Sequence, residues 1–101
     1  MLSIRRVVGD SMLPTLRPGT VVIALRWRRV RQGDVVIIRH EGIDKIKRVH
    51  KLRPGSVYVL GDNAAASTDS RHHGWLPNNA VVGIVLLPRL RNSYTTTINE
   101  V

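Results

Sequence analysis

Turn-forming residues recur along this sequence at short, nearly even intervals: Gly9-Asp10, Arg17-Pro18-Gly19, Gln32-Gly33-Asp34, Glu41-Gly42, Arg53-Pro54-Gly55, Gly61-Asp62-Asn63 and Leu76-Pro77-Asn78-Asn79. Gly admits positive φ, Pro fixes φ and lacks a donor, and Asp and Asn bond back to their own backbone, so each cluster ends the element before it. The intervals suit strands better than helices. The segments between clusters are rich in Val, Ile and Leu, and strands are predicted at residues 4–8, 20–25, 34–39, 45–50, 56–60 and 80–87. No window carries a helical period, apart from one turn at residues 12–16 that contains Pro14. With no Phe, two Trp and two Tyr among 101 residues, branched aliphatic side chains must build the core, which again favours strands. The expectation is an all-β fold, a compact coiled antiparallel sheet or partly open barrel. It should form one domain over residues 1–92, followed by a polar tail at 93–101.

Composition narrows the chemistry. With no cysteine, disulfide scaffolds, thiolate metal sites and cysteine nucleophiles are excluded together. Sixteen Lys and Arg against seven Asp and Glu leave a formal charge of +9, a surface that attracts phosphate, whether of nucleic acid or of anionic lipid headgroups. No run approaches the roughly 20 apolar residues that span a bilayer. The longest apolar run, from Ala80 to Leu87, contains Gly83 and stops at Pro88, and reads as a buried strand.

Three clusters hold side chains able to do chemistry. Gly9-Asp10-Ser11-Met12-Leu13-Pro14-Thr15-Leu16 places a serine just after a strand on a tight turn, where an exposed hydroxyl and a free backbone N–H coexist; alone, it is also an ordinary capped turn. A serine nucleophile needs a base, and His40, His50, His72, His73 or a lysine qualifies by type. An ordinary lysine, with pKa about 10.4, is neutral at pH 7 only about once in 2,500, so a lysine base must be buried among apolar groups. Ile43-Asp44-Lys45-Ile46-Lys47-Arg48-Val49 supplies such a setting, and strand alternation puts Lys45 and Lys47 on one face without choosing between them. The third cluster, from Gly61 to Gly74, is a polar loop whose charges can pair and whose hydroxyls can orient an amine. Its adjacent histidines lack further ligands at metal-binding spacing, so neither a metal nor a cofactor is expected.

Taken together and in this order, the clusters resemble the signal peptidase I family of serine proteases. Ser11-Met12-Leu13-Pro14-Thr15-Leu16 is similar to the family's nucleophile box, Gly33-Asp34-Val35-Val36 to its next strand box and Lys47-Arg48-Val49 to its lysine box. Gly61-Asp62-Asn63, Ser67, Asp69-Ser70-Arg71 and Gly74 resemble its last box. The resemblance implies a Ser-Lys dyad, with Ser11 as nucleophile and Lys47, the lysine directly followed by Arg, as general base. It also implies that Ser67 orients the Lys47 amine, that Asp69 and Arg71 form a supporting ion-pair network with Arg48 and Asp62, and that the Ser11 N–H is one oxyanion donor within the Gly9-Asp10-Ser11-Met12 turn. In some members a hydroxyl two positions before the nucleophile gives a second donor; here that position is Gly9. The implied activity is endoproteolytic cleavage of a precursor polypeptide, a leader or propeptide, after a small residue through an acyl-enzyme.

The sequence departs from larger members in two respects. Ten residues stand before Ser11, where a membrane anchor would lie, and the stretch from Lys47 to Gly61 is too short for an inserted β domain. This build is similar to the small anchorless forms that mature nickel superoxide dismutase precursors, and the expected location is cytoplasmic or peripheral to a membrane unless an anchor is missing. Arg26, Trp27, Arg28, Arg29 and Arg31 form a basic segment that reads either as a solvated connection or as a contact with anionic lipid. Two alternatives remain from the residues alone: a self-cleaving-repressor-like domain, which needs a cleavage segment ahead of the serine, and a non-catalytic basic β module binding nucleic acid or membrane.

Overall fold

The computed structural model describes residues 2–90. Its strands are β1 (Leu2–Arg6), β2 (Val21–Leu25), β3 (Val35–His40), β4 (Ile43–Arg53), β5 (Ser56–Leu60), β6 (Leu76–Pro77) and β7 (Val81–Leu87). A single helical turn, α1 (Ser70–His73), and two 3₁₀ turns, Ala64–Ala66 and Asn78–Ala80, complete the elements. All seven strands join one antiparallel sheet in the order β1-β2-β7-β3-β4-β5-β6. The sheet is open, with β1 and β6 at its edges, and the all-β expectation holds.

The differences from the sequence reading have local causes. The first strand begins earlier, at Leu2, and leaves the ladder before Val7, which turns inward and exchanges bonds with the next turn: Val7 N–H to Thr20 C=O and Gly19 N–H to Val7 C=O, both 2.8 Å. β4 extends through Arg53, past a shift in its register with β5 between Val49 and Lys51. The polar loop after Gly61 contains α1, because Asp69 caps the Arg71 N–H and His72 accepts from the Asp69 N–H, a reciprocal box closed by histidine. The tail at 93–101 lies outside the described residues.

The core forms two clusters related by the alternation of β3. Val36 and Ile38 face Val49, Val57, Val59, Leu76, Ala80, Val81 and Ile84. Val35 and Ile37 belong with Val7, Met12, Leu16, Val22 and Ala24. β3 is thus covered on both sides, which explains its unbroken apolar sequence. Burying each such side chain contributes about 1.5–3 kcal/mol. The second cluster also holds the turn around Ser11: Met12 and Leu16, 1% and 2% exposed, fill it from either end of a helical turn closed by Leu16 N–H to Met12 C=O at 2.9 Å.

Candidate active site

The β3–β4 ladder is continuous across Val36↔Lys47 and Ile38↔Lys45, so the two lysines share a face. Burial separates them. Lys47 is 3% exposed, whereas Lys45 is half-buried. The Lys47 ammonium position is set by Ser67, whose Oγ lies 3.0 Å from Nζ and which in turn donates to Asp69 Oδ2 at 2.6 Å. Asp69 is wholly buried and also accepts from the Gly61 N–H (2.8 Å), the Arg71 N–H (3.1 Å) and the Arg71 guanidinium, with Nε at 2.9 Å. Burial works against the Asp69 charge, but the donors from Arg71, Ser67 and the Gly61 and Arg71 backbones outweigh it and hold the carboxyl well below the usual carboxylate range.

An ionised carboxylate can only accept, which gives the chain of bonds a direction. Ser67 must present its proton to Asp69 and an oxygen lone pair to Lys47, so the amine donates to Ser67 and keeps its own lone pair for another donor when it is neutral. Burial pushes the Lys47 pKa down; Asp69 opposes this, while the positive charges of Lys45 and Arg71 add to it.

Ser11 and Lys47 open onto the same cleft of about 330 Å³, walled by residues 5–12 on one side and 44–47 on the other, with Ala66 and Thr68 beside them. No histidine lines it: His72 is at the helix cap with its side chain 57% exposed, and the His73 ring packs on His40 at 4.4 Å. The Ser11 turn is held by the loop after β5. Asn63 donates its N–H to the Ser11 C=O at 2.8 Å and its side-chain amide to the Asp10 C=O at 3.2 Å. A second clamp joins Arg48 to Asp62 through two bonds of 2.9 and 3.0 Å, with Thr15 donating to the same carboxylate and Arg48 also donating to the Gly33 C=O at 2.8 Å.

Asp69–Arg71 and Arg48–Asp62 are therefore two separate ion pairs, bridged by the backbone of Gly61 and Asp62. Gly9 lines the cleft with φ +79° and nothing within 4 Å of where a Cβ would stand, so glycine serves the backbone here and offers no side-chain donor. Asn63, Gly61 and Thr15 lie within the motif segments, but the sequence gives none of them a role: each acts on a group about fifty positions away, and Gly61 on Ser67 and Asp69 as well. In the basic segment, Arg28 makes two bonds to Asp34 (2.8 and 2.9 Å) and Arg26 donates to the Val81 C=O at 2.7 Å. Trp27, 54% exposed, together with Arg29 and Arg31, is left facing outward.

The family model described as Peptidase S24-like matches residues 2–85. The chain belongs to the Peptidase S24-like family. Two relatives of this peptidase carry protease names. It is 33% identical over 117 aligned positions to the mitochondrial ATP-independent inner membrane protease subunit 1a of Arabidopsis thaliana, covering 86% of this chain and 70% of the relative. It is 40% identical over 43 residues to signal peptidase I of Bacillus caldolyticus, covering 43% of this chain and 24% of that protein. The resemblance to signal peptidase I is borne out, and with it a peptidase acting on polypeptide. Among the described residues no helix is long and apolar enough to cross a membrane.

Proposed function

We propose that this peptidase is a Ser-Lys endopeptidase that cleaves a precursor polypeptide after a small residue. The observation that carries the reading is the buried Lys47 amine, held by Ser67 in the cleft that Ser11 enters, with its lone pair left uncommitted by the Asp69 carboxylate. Ser11 Oγ attacks the scissile carbonyl carbon as its proton passes to Lys47 Nζ, and the Ser11 N–H donates to the developing oxyanion. The tetrahedral adduct collapses with cleavage of the C–N bond, the leaving amine taking the proton from Lys47. A water, deprotonated by the again neutral Lys47, then hydrolyses the acyl ester and restores the Ser11 hydroxyl. Asp69, Arg71, Arg48 and Asp62 hold the two loops in register and take no proton. The preference for a small residue comes from the family resemblance, and the single catalytic domain over residues 1–92 from the length of the chain and the polar character of the tail.

Trp27, Arg29 and Arg31 support a peripheral contact with anionic lipid, an aromatic at the interface flanked by guanidiniums that internal bonds leave outward. The test of the central reading is cleavage of a panel of leader and propeptide substrates, beginning with a superoxide dismutase precursor, by wild type, Ser11→Ala, Lys47→Met and His72→Gln. Activity lost in the first two and kept in the third supports the dyad. Activity surviving Lys47→Met but lost on replacing His72 overturns it in favour of a histidine base.

A further inference from the structure

The cleft wall carries more positive charge than the proposed dyad uses. Four basic side chains line it: Arg5, Arg6, Lys45 and Lys47. Three are committed. Arg5 donates twice to Asp44 Oδ2, at 3.3 and 3.2 Å, Arg6 donates to the Gly19 C=O at 3.0 Å, and Lys47 is held by Ser67. Asp44, the carboxylate next to Lys45 in sequence, is turned to arginine instead: besides Arg5 it accepts from Arg39 at 2.8 and 3.1 Å, and these bonds keep it ionised. The cleft's other carboxylate, Asp10, is exposed and makes no side-chain bond to Lys45. Lys45 is left half-buried, on the same face of β4 as Lys47, with no ion-pair or hydrogen-bond partner among the described residues.

A half-buried ammonium without a partner keeps its donors free, and a substrate carboxylate entering the cleft can take them in a charge-assisted hydrogen bond. Residues two apart on a strand lie about 7 Å apart, so a side chain reaching Lys45 belongs to a residue within two or three positions of the bond presented to Ser11.

We propose that Lys45 is a specificity-determining residue that selects polypeptides bearing an Asp or Glu within three positions of the scissile bond. The inference rests on the assignment of Ser11 and Lys47 as the reacting pair, and it names a substrate feature that the pair alone does not require. The ion pair forms without covalent change. Neutral peptides are still cleaved, because the proton transfers of the reaction run through Ser11 and Lys47 and need no charge from Lys45.

The test uses the Ser11→Ala chain and dye-labelled peptides that differ only by Glu or Gln at each of the three positions on either side of the cleavage point, read by fluorescence anisotropy. At one or more positions the Glu peptide should bind about three- to fivefold tighter, the size expected of a half-exposed ion pair, and the difference should shrink in high salt. Lys45→Met should abolish the preference, Lys45→Glu should turn it towards a Lys-containing peptide, and Lys51→Met, which removes an exposed charge outside the cleft, should leave it intact. Equal binding of Glu and Gln peptides at every position overturns the proposal, as does a preference that Lys51→Met removes as fully as Lys45→Met. Wild-type cleavage measured in parallel separates the two levels: cleavage that requires Ser11 and Lys47 without a charge preference refutes this inference alone, whereas a Lys45-dependent preference with cleavage insensitive to Ser11→Ala refutes the dyad.

Discussion

Gly61 sits where the two loops of the site touch, and its replacement by alanine tests how closely the nucleophile turn and the amine-orienting hydroxyl depend on each other. A Cβ at residue 61 would lie 2.3 Å from Ser67 Oγ, 2.6 Å from Ser67 Cβ and 2.7 Å from the Ser11 carbonyl oxygen. Ordinary contact begins near 3.4 Å, so these groups must retreat by about 0.7–1.1 Å. Gly61 has no positive φ, so alanine meets no backbone penalty and the effect is steric alone. Neither neighbour is free to yield, since Ser67 is bonded to Lys47 and Asp69 and the Ser11 carbonyl accepts from Asn63. Overpacking of this kind costs about 1–3 kcal/mol, a fall in Tm of roughly 5–15 °C for a domain of this size. A shift of nearly 1 Å in a reacting group lowers the rate about 100-fold, and the loss should fall on kcat rather than KM. Calorimetry and hydrolysis of a quenched fluorescent precursor peptide measure both effects. Gly55→Ala is the control: its φ of +77° makes alanine cost about 1 kcal/mol in strain, but nothing lies within 4 Å and kcat should not change. A Gly61→Ala protein with wild-type kcat and Tm would refute the reasoning.

Further outcomes follow from the charges. Lys47→Met should abolish cleavage while raising Tm at neutral pH; because the folded pKa of Lys47 is lowered, the unfolded chain binds the extra proton between the folded and ordinary lysine values, so this residue makes stability rise with pH across that window, and the variant should lose that rise in urea titrations. Wild-type cleavage should increase with pH along a midpoint below the ordinary lysine range, and Lys45→Met, by removing a neighbouring positive charge, should move that midpoint upward on a neutral peptide. Asp69→Ala should lower stability by about 1–3 kcal/mol and activity with it, since the buried Ser67 hydroxyl and Gly61 N–H lose their acceptor while the exposed Arg71 guanidinium can turn to water. The folded pKa of Asp69 is depressed, so its contribution is present above about pH 4 and fades below it, and acid unfolding followed by circular dichroism should be shallower in the variant. Binding to anionic vesicles should weaken in Trp27→Ala and Arg29→Gln, disappear at high salt, and respond less to Arg26→Gln, whose guanidinium is engaged by the Val81 carbonyl.

Turn residues and apolar segments decide most of this architecture at the level of sequence, because Gly, Pro and Asp act within a few bonds and β alternation is a local rule. The order of the motifs likewise places the serine turn, the lysine strand and the polar loop in the chain. Which lysine is the buried one is a different matter. Lys45 and Lys47 obey the same alternation, and only the packing of the loop after β5 over one end of β4 makes Lys47 buried while Lys45 remains half-open to the cleft. The cap at Asp69 closes within three residues, but the seating of the Lys47 amine on Ser67, twenty positions on, and the close approach of Gly61 to the Ser11 carbonyl, fifty positions back, depend on distant segments meeting. Periodicity reports how a segment presents its side chains. What stands opposite them, and so which amine loses water and which carboxylate keeps its charge, is decided when β4, the nucleophile turn and the polar loop close on one another.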